Sequence, residues 1–287
     1  MGHTLSALGN LFFTFLPDQF FNKLELPVES DLTDRTYLIT GSNTGLGLAA
    51  AIHLAHLNAT HLVLGVRDSI KGAKARDEII AQTKFSGIID VWELDMATFD
   101  SVKSFAEGQK HSCWFGRRTC QRRDCESRPV GSDDGWMGED VNGIAAGLLA
   151  VLLLPVLQAT TKLPLPHPDA SHMPPHLTIT GSAGQLGAVS RKTGNQYSPS
   201  LERTVEWTAG DRHFVTKVFN SFLAREISTL RKAEGVVVNV VDPGLSRSVS
   251  YLFRTIAWPV SKGSINMVHA LLSPTPPGAY ISSCEIH

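Results

Sequence analysis

From Thr36 to Ile281, short apolar runs alternate with stretches whose apolar residues recur at helical spacing. Tyr37-Leu38-Ile39, His61 to Val66, Ile88 to Leu94, His176 to Thr180, Val236 to Val241 and Gly278 to Ile281 read as strands. Ala49 to Leu57, Ile70 to Thr83, Ser101 to Glu107, Gly147 to Leu157 and Ser261 to Leu272 read as helices. Val236 to Val241 is almost continuously apolar, as a strand covered on both faces requires. Strand then helix, repeated, predicts the α/β class: one domain built on a doubly wound, mainly parallel sheet.

Two segments interrupt that order. Residues 1–34 form an N-terminal arm carrying Leu11-Phe12-Phe13-Thr14-Phe15-Leu16 and Phe20-Phe21. It begins without Lys or Arg, and Pro17-Asp18 cuts the apolar run, so a secretory signal is not expected. Packing of the arm on its own domain is the simplest expectation; a membrane interface or a cover over a substrate mouth are the alternatives. The domain proper spans 35–287, and within it 108–140 is anomalous. From Gln109 to Cys125 there is no strand period, only a burst of Arg and Cys, so the fourth strand is doubtful. Three readings compete for this segment. His111 with Cys113, Cys120 and Cys125 could bind a metal, but the spacing fits no zinc motif and the neighbouring arginines repel a cation, so no metal is expected. It could be a loop peculiar to this chain. An out-of-frame stretch fits best, given the abrupt change of composition and the orderly pattern on either side.

Composition narrows the picture only a little. At 43% hydrophobic over 287 residues the chain can bury one large core. A net charge of −1 offers no electrostatic case for nucleic acid. Three of the four cysteines crowd the anomalous segment, which is no disulfide framework, so a reducing, cytoplasmic location is expected, with attachment to a membrane surface left open. Gly143 to Leu154 is strongly apolar, yet about twelve residues ended by Pro155 suit a buried core helix better than a membrane span.

The chemistry centres on Thr40-Gly41-Ser42-Asn43-Thr44-Gly45-Leu46-Gly47, set between a strand and a helix. Such a turn lets backbone approach a diphosphate, and the helix start offers free N–H groups and a positive dipole end. This makes the fold a Rossmann fold and the turn (Gly41, Ser42, Asn43, Gly45, Leu46, Gly47) a nucleotide site. Arg67 follows the second strand, where an acid suits a ribose 2′-hydroxyl and an arginine a 2′-phosphate. NADP is therefore expected over NAD, and Asp68 stands one place late for the NAD role.

The glycine spacing resembles that of the short-chain dehydrogenase/reductase family, and later motifs resemble its retinol-dehydrogenase-like members. The resemblance runs over most of Thr36 to Glu285 and implies interconversion of an alcohol and a carbonyl. It assigns Asp95 to the adenine region, Asn142 to a proton-relay water and Ser182, in Gly181-Ser182-Ala183-Gly184, to the substrate oxygen. Asp242-Pro243-Gly244-Leu245-Ser246-Arg247-Ser248 resembles the turn closing over the nicotinamide carboxamide, which gives Pro243, Gly244 and Ser248 cofactor roles. In many relatives the helix Gly147 to Leu157 lines a dimer interface; a homodimer or a monomer is expected. Relatives usually continue into a further helix beyond the point where this chain stops. Apolar residues on the substrate side suggest a lipophilic substrate: a retinoid, steroid, terpenoid or polyketide-like molecule.

Two departures stand out. The family's Asn-Ala-Gly run is absent, and Asp211-Arg212-His213-Phe214-Val215-Thr216-Lys217 has His213 where the family has its catalytic tyrosine. Lys217 keeps the role of holding the ribose, and Tyr197 lies too far from it in sequence to stand in. Imidazole is shorter than phenol and ordinarily titrates near ~6.5 rather than about 10. Losing a placed general acid costs roughly 10²–10⁴ in rate. The alternative expectation is thus an impaired relative that binds nucleotide or a partner without turnover.

Overall fold

The computed structural model describes residues 24–26, 31–111, 140–162, 174–182, 209–246 and 257–286, with backbone alone at 110–111, 140–142 and 209–215. Among the described residues seven strands run in chain order: β1 (Thr36–Thr40), β2 (His61–Val66), β3 (Ile88–Glu93), β4 (His176–Thr180), β5 (Val237–Asp242), β6 (Tyr280–Ser282) and β7 (Glu285–Ile286). The described helices are α1 (Gly45–His56), α2 (Ser69–Thr83), α3 (Phe99–His111), α4 (Ala146–Thr160, entered through a π-helical turn, Asp140–Ala145), α5 (Ala209–Ser228) and α6 (Val260–Leu272).

β1, β2 and β3 pair in parallel, with β2 in the middle. Every residue of β2 is buried, as expected of a central parallel strand. β4, β5 and β6 form a second parallel set, closed by the antiparallel β7. Among the described residues no strand joins β1 to β4, so the sheet is parted where the sequence left its fourth strand in doubt.

Helices join the two sets. Side chains alternate across a strand, so Tyr37 and Ile39 face one core and Leu38 the other. On the first face Leu54 of α1, Ile79 of α2 and Val268 and Leu272 of α6 pack with Leu62 and Leu64. On the second, Val102 and Phe105 of α3 pack with Leu149 and Leu153 of α4. A third cluster joins Leu154 of α4, Ala224 and Ile227 of α5, and Val238 and Val240 of β5. Leu32, ahead of β1, is fully buried in the first core and donates its N–H to Leu57 O at 2.9 Å.

The sequence pattern stops the apolar run at Pro155 but reads helix on to Leu157, and the structure carries the helix further still. α4 passes through Pro155 to Thr160. The proline removes a donor to the Val151 carbonyl, but both residues lie on the exposed side of the helix, where the lost bond costs less than in the core. The continuous helix Gly143–Thr160 is therefore long and apolar enough to cross a membrane, and 44% of it is buried within the fold. Those buried residues, Ala150, Leu153 and Leu154 among them, do the work of a core helix.

Candidate functional site

Gly41, Arg67, Asp95, Ser182 and Pro243 each follow the carboxyl end of a parallel strand, the edge on which open α/β sheets bind ligands. At the first of these, Gly41 and Gly45 hold φ of 64° and 61°, a left-handed conformation that glycine takes without a steric cost. A Cβ on Gly47 would stand 2.7 Å from Gly41 O, so the helix start and the turn touch backbone to backbone. Above Gly41 itself a Cβ would meet nothing within 4 Å. The turn is anchored by Gly41 N–H donating to Gly65 O at 2.8 Å. The first turn of α1 carries no acidic side chain, and Thr44 makes no side-chain cap, so its N–H groups remain for an anion. Ser42 is fully buried and Asn43 half-buried beside it.

Arg67 is exposed at the end of β2 and forms no ion pair among the described residues. Asp68 is engaged otherwise: its Oδ1 accepts from Ile70 N at 2.9 Å and Lys71 N at 3.1 Å as the N-cap of α2. Asp95 shapes its own turn, Oδ1 accepting from Ala97 N at 3.0 Å while its N–H donates to Ser101 Oγ at 2.9 Å. An open glycine turn at the start of α1 fits a dinucleotide, and Arg67 stands at the end of the neighbouring strand.

On the second strand set, Lys217 Nζ donates to Thr180 O at 3.1 Å, and Thr180 leads through Gly181 into the half-buried Ser182. Burial holds the Lys217 ammonium below the ordinary lysine range. His213 lies on α5 four residues before Lys217, and Asn142 lies in the π-helical turn; the structure gives their backbones. That turn packs on α5, since a Cβ on Gly143 would meet Phe219 Cδ1 at 3.4 Å. Ser248 lies outside the described residues, as do Cys113, Cys120 and Cys125.

Pro243-Gly244 is held by Asp242, which the sequence reading passed over. Its Oδ1 accepts from Gly244 N at 3.1 Å and its Oδ2 from Ser282 Oγ at 3.1 Å. Asn266 Nδ2 donates to Asp242 O at 3.0 Å, and Asn266 Oδ1 accepts from Cys284 N at 2.8 Å. Burial, with the Asp242 carboxylate nearby, pushes the Tyr280 phenol far above its usual range. Gly244 adopts φ 69°, and a Cβ there would strike Trp258 at 2.7 Å. The two halves of the site meet at Gly263 of α6, where a Cβ would lie 2.8 Å from Pro243 O and 3.2 Å from Leu46 Cδ2. Asn220 was also missed; its signal was a polar residue three places after Lys217, on the same helix face.

The family model described as KR domain matches residues 35–113. A short chain dehydrogenase/reductase of Cryptosporiopsis, dmxR8, is 29% identical over 95% of this chain and 88% of its own. The short chain dehydrogenase/reductase mfmJ of Annulohypoxylon moriforme is 30% identical over 82% of this chain and 71% of its own. A solved short-chain dehydrogenase from Sphingobium yanoikuyae, in complex with NADPH, shares the fold with a TM-score of 0.54 at 15% identity, covering 80% of this chain and 81% of that one. The identity to mfmJ, over most of both chains, carries the assignment: the protein belongs to the short-chain dehydrogenase/reductase family and is an oxidoreductase by that membership.

Proposed function

We propose that the protein is an NADP-dependent oxidoreductase that interconverts an alcohol and a carbonyl on a lipophilic small molecule. One observation carries the cofactor choice: the open glycine turn at Gly41 beside Arg67, a cation with no carboxylate partner among the described residues. The NADPH held by the Sphingobium relative, on a shared fold, supports it. NADP, when bound, supplies or accepts the hydride. The chain's residues bind and orient. The α1 N-terminus and the glycine turn hold the diphosphate, Arg67 the 2′-phosphate and Lys217 the ribose. Ser182 orients the substrate oxygen, Asn142 a relay water, and His213 stands at the proton donor's place.

A second reading has its own observation. His213 replaces the family's tyrosine, and the strand sets part between β1 and β4 among the described residues. An impaired relative would bind nucleotide and turn nothing over. The test is NADPH consumption across carbonyls ranging from short aliphatic ketones to steroids and retinaldehyde. Turnover rising with substrate lipophilicity supports the first reading; tight NADPH binding with no consumption of any carbonyl supports the second.

A further inference from the structure

Thr180 ends β4, and its carbonyl oxygen collects two donors from one face of α5. Lys217 Nζ lies at 3.1 Å and Asn220 Nδ2 at 3.3 Å. Residues three apart on a helix share a face, so both side chains reach the same atom from the same side. A carbonyl oxygen has two lone pairs, and these two donors use both.

Asn220 is only 1% exposed, and its Oδ1 has no hydrogen-bond partner among the described residues. A buried amide with an unmet acceptor is a poorer filler than an apolar side chain of its size. Packing alone therefore does not account for an asparagine here. Among the described residues Lys217 has no ion-pair partner, and the Thr180 carbonyl is the group that fixes its ammonium. The same carbonyl belongs to the strand end that carries Ser182 two residues on.

We propose that Asn220 is a positioning residue that sets Lys217 and Ser182 relative to one another through the Thr180 carbonyl. Lys217 spends one ammonium N–H on that oxygen and keeps two for a ligand, while Asn220 on the other lone pair holds the oxygen in place to receive it. By bonding the strand end it also fixes how far Ser182 stands from α5. The role at the ribose rests on the function proposed above; the tie between Lys217 and Thr180 does not.

The test uses the full chain with 13Cε-labelled lysine, the Lys217 resonance being assigned by Lys217→Arg. Three variants are compared: Asn220→Leu, which keeps volume and loses the donor; Asn220→Ser, which keeps a donor; and Asn220→Asp, which sets a carboxylate against the Thr180 carbonyl. Asn220→Leu and Asn220→Asp are expected to shift the Lys217 resonance, and Asn220→Leu to weaken NADPH binding about tenfold, with Asn220→Ser restoring most of it. An unshifted Lys217 resonance and unchanged NADPH affinity in a folded Asn220→Leu protein would overturn the proposal. Should that variant fail to fold, an unshifted resonance in Asn220→Asp overturns it equally. If the wild type binds no NADPH, the proposed function falls, while the Lys217 resonance still decides the role of Asn220.

Discussion

His53 Nε2 lies 2.9 Å from the main-chain oxygen of Ser261 and so ties α1, which follows the glycine turn, to the first turn of α6. The strand sets do not pair with one another among the described residues, so this helix contact joins the nucleotide half to the half bearing Ser182 and Lys217. Burial lowers the His53 pKa most, His56 lowers it further, and the bond to Ser261 works the other way. His269 of α6 is lowered by burial as well. Folded pKa values below the unfolded one mean that the unfolded chain binds more protons between them. The stabilisation is complete above about 6.5 and is lost as pH falls towards the folded values. Thermal melts should therefore drop on acidification below about pH 6.5. His53→Gln, whose amide can still donate to Ser261 O, should flatten that drop; an unchanged pH slope would contradict the account.

Gly47→Ala places a methyl group against the Gly41 carbonyl at 2.7 Å, where only backbone could move. A cost of about 1–3 kcal/mol in stability is expected. NADPH affinity should fall further than the melting temperature alone accounts for, because the turn that must receive the diphosphate is the part displaced. Gly263→Ala is the companion change, pressing on Pro243 O and Leu46 together. Fluorescence titration beside a melt separates the two effects.

Arg67→Glu should exchange cofactor preference. A carboxylate there repels a 2′-phosphate and accepts from a ribose hydroxyl. NADPH affinity is expected to fall by roughly ten- to a hundredfold, with NADH binding equal or better. A parallel loss of both cofactors would show Arg67 to be structural.

Asp242 holds Gly244 N–H and Ser282 Oγ from a nearly fully buried position. Asp242→Ala leaves both donors without that acceptor and should cost about 1–3 kcal/mol, measured by urea denaturation. Asp242→Asn keeps one acceptor oxygen and should cost less.

Much of the fold was legible because the parallel strands are short apolar runs between helical periods. His61–Val66 and His176–Thr180 fall on the boundaries read from the pattern, and Ser69–Thr83 and Val260–Leu272 each begin one residue earlier. Phe99–His111 extends past the stretch read as helix at both ends, since Gln109 is buried despite its polar character. β7 went unread because Glu285–Ile286 is too short to show a period. Within the site, glycines announce themselves by spacing, and Ser182 and Lys217 by motif. Asp242 and Asn266 do not, and Asn220 shows only its spacing from Lys217: the bonds of Asp242 to Ser282, Asn220 to Thr180 and Asn266 to Cys284 arise only once α5, α6 and the strands are packed.

His213→Tyr restores the phenol that the family uses as proton donor. If the nucleotide and Lys217 are in place, carbonyl turnover should rise by about 10²–10⁴. An equal rate in both proteins would show that His213 either serves fully or that the lesion lies elsewhere, and the pH–rate profile, acid-shifted for an imidazole donor, distinguishes these.

The central claim is that this chain binds NADP in the cradle from Gly41 to Gly47 beside Arg67. Titration of the wild-type protein with NADPH and with NADH, followed by nicotinamide fluorescence, tests it most directly. Saturable NADPH binding, tighter than NADH and reduced by Arg67→Glu, is the result the account predicts. Saturable binding of neither nucleotide by folded protein would contradict it.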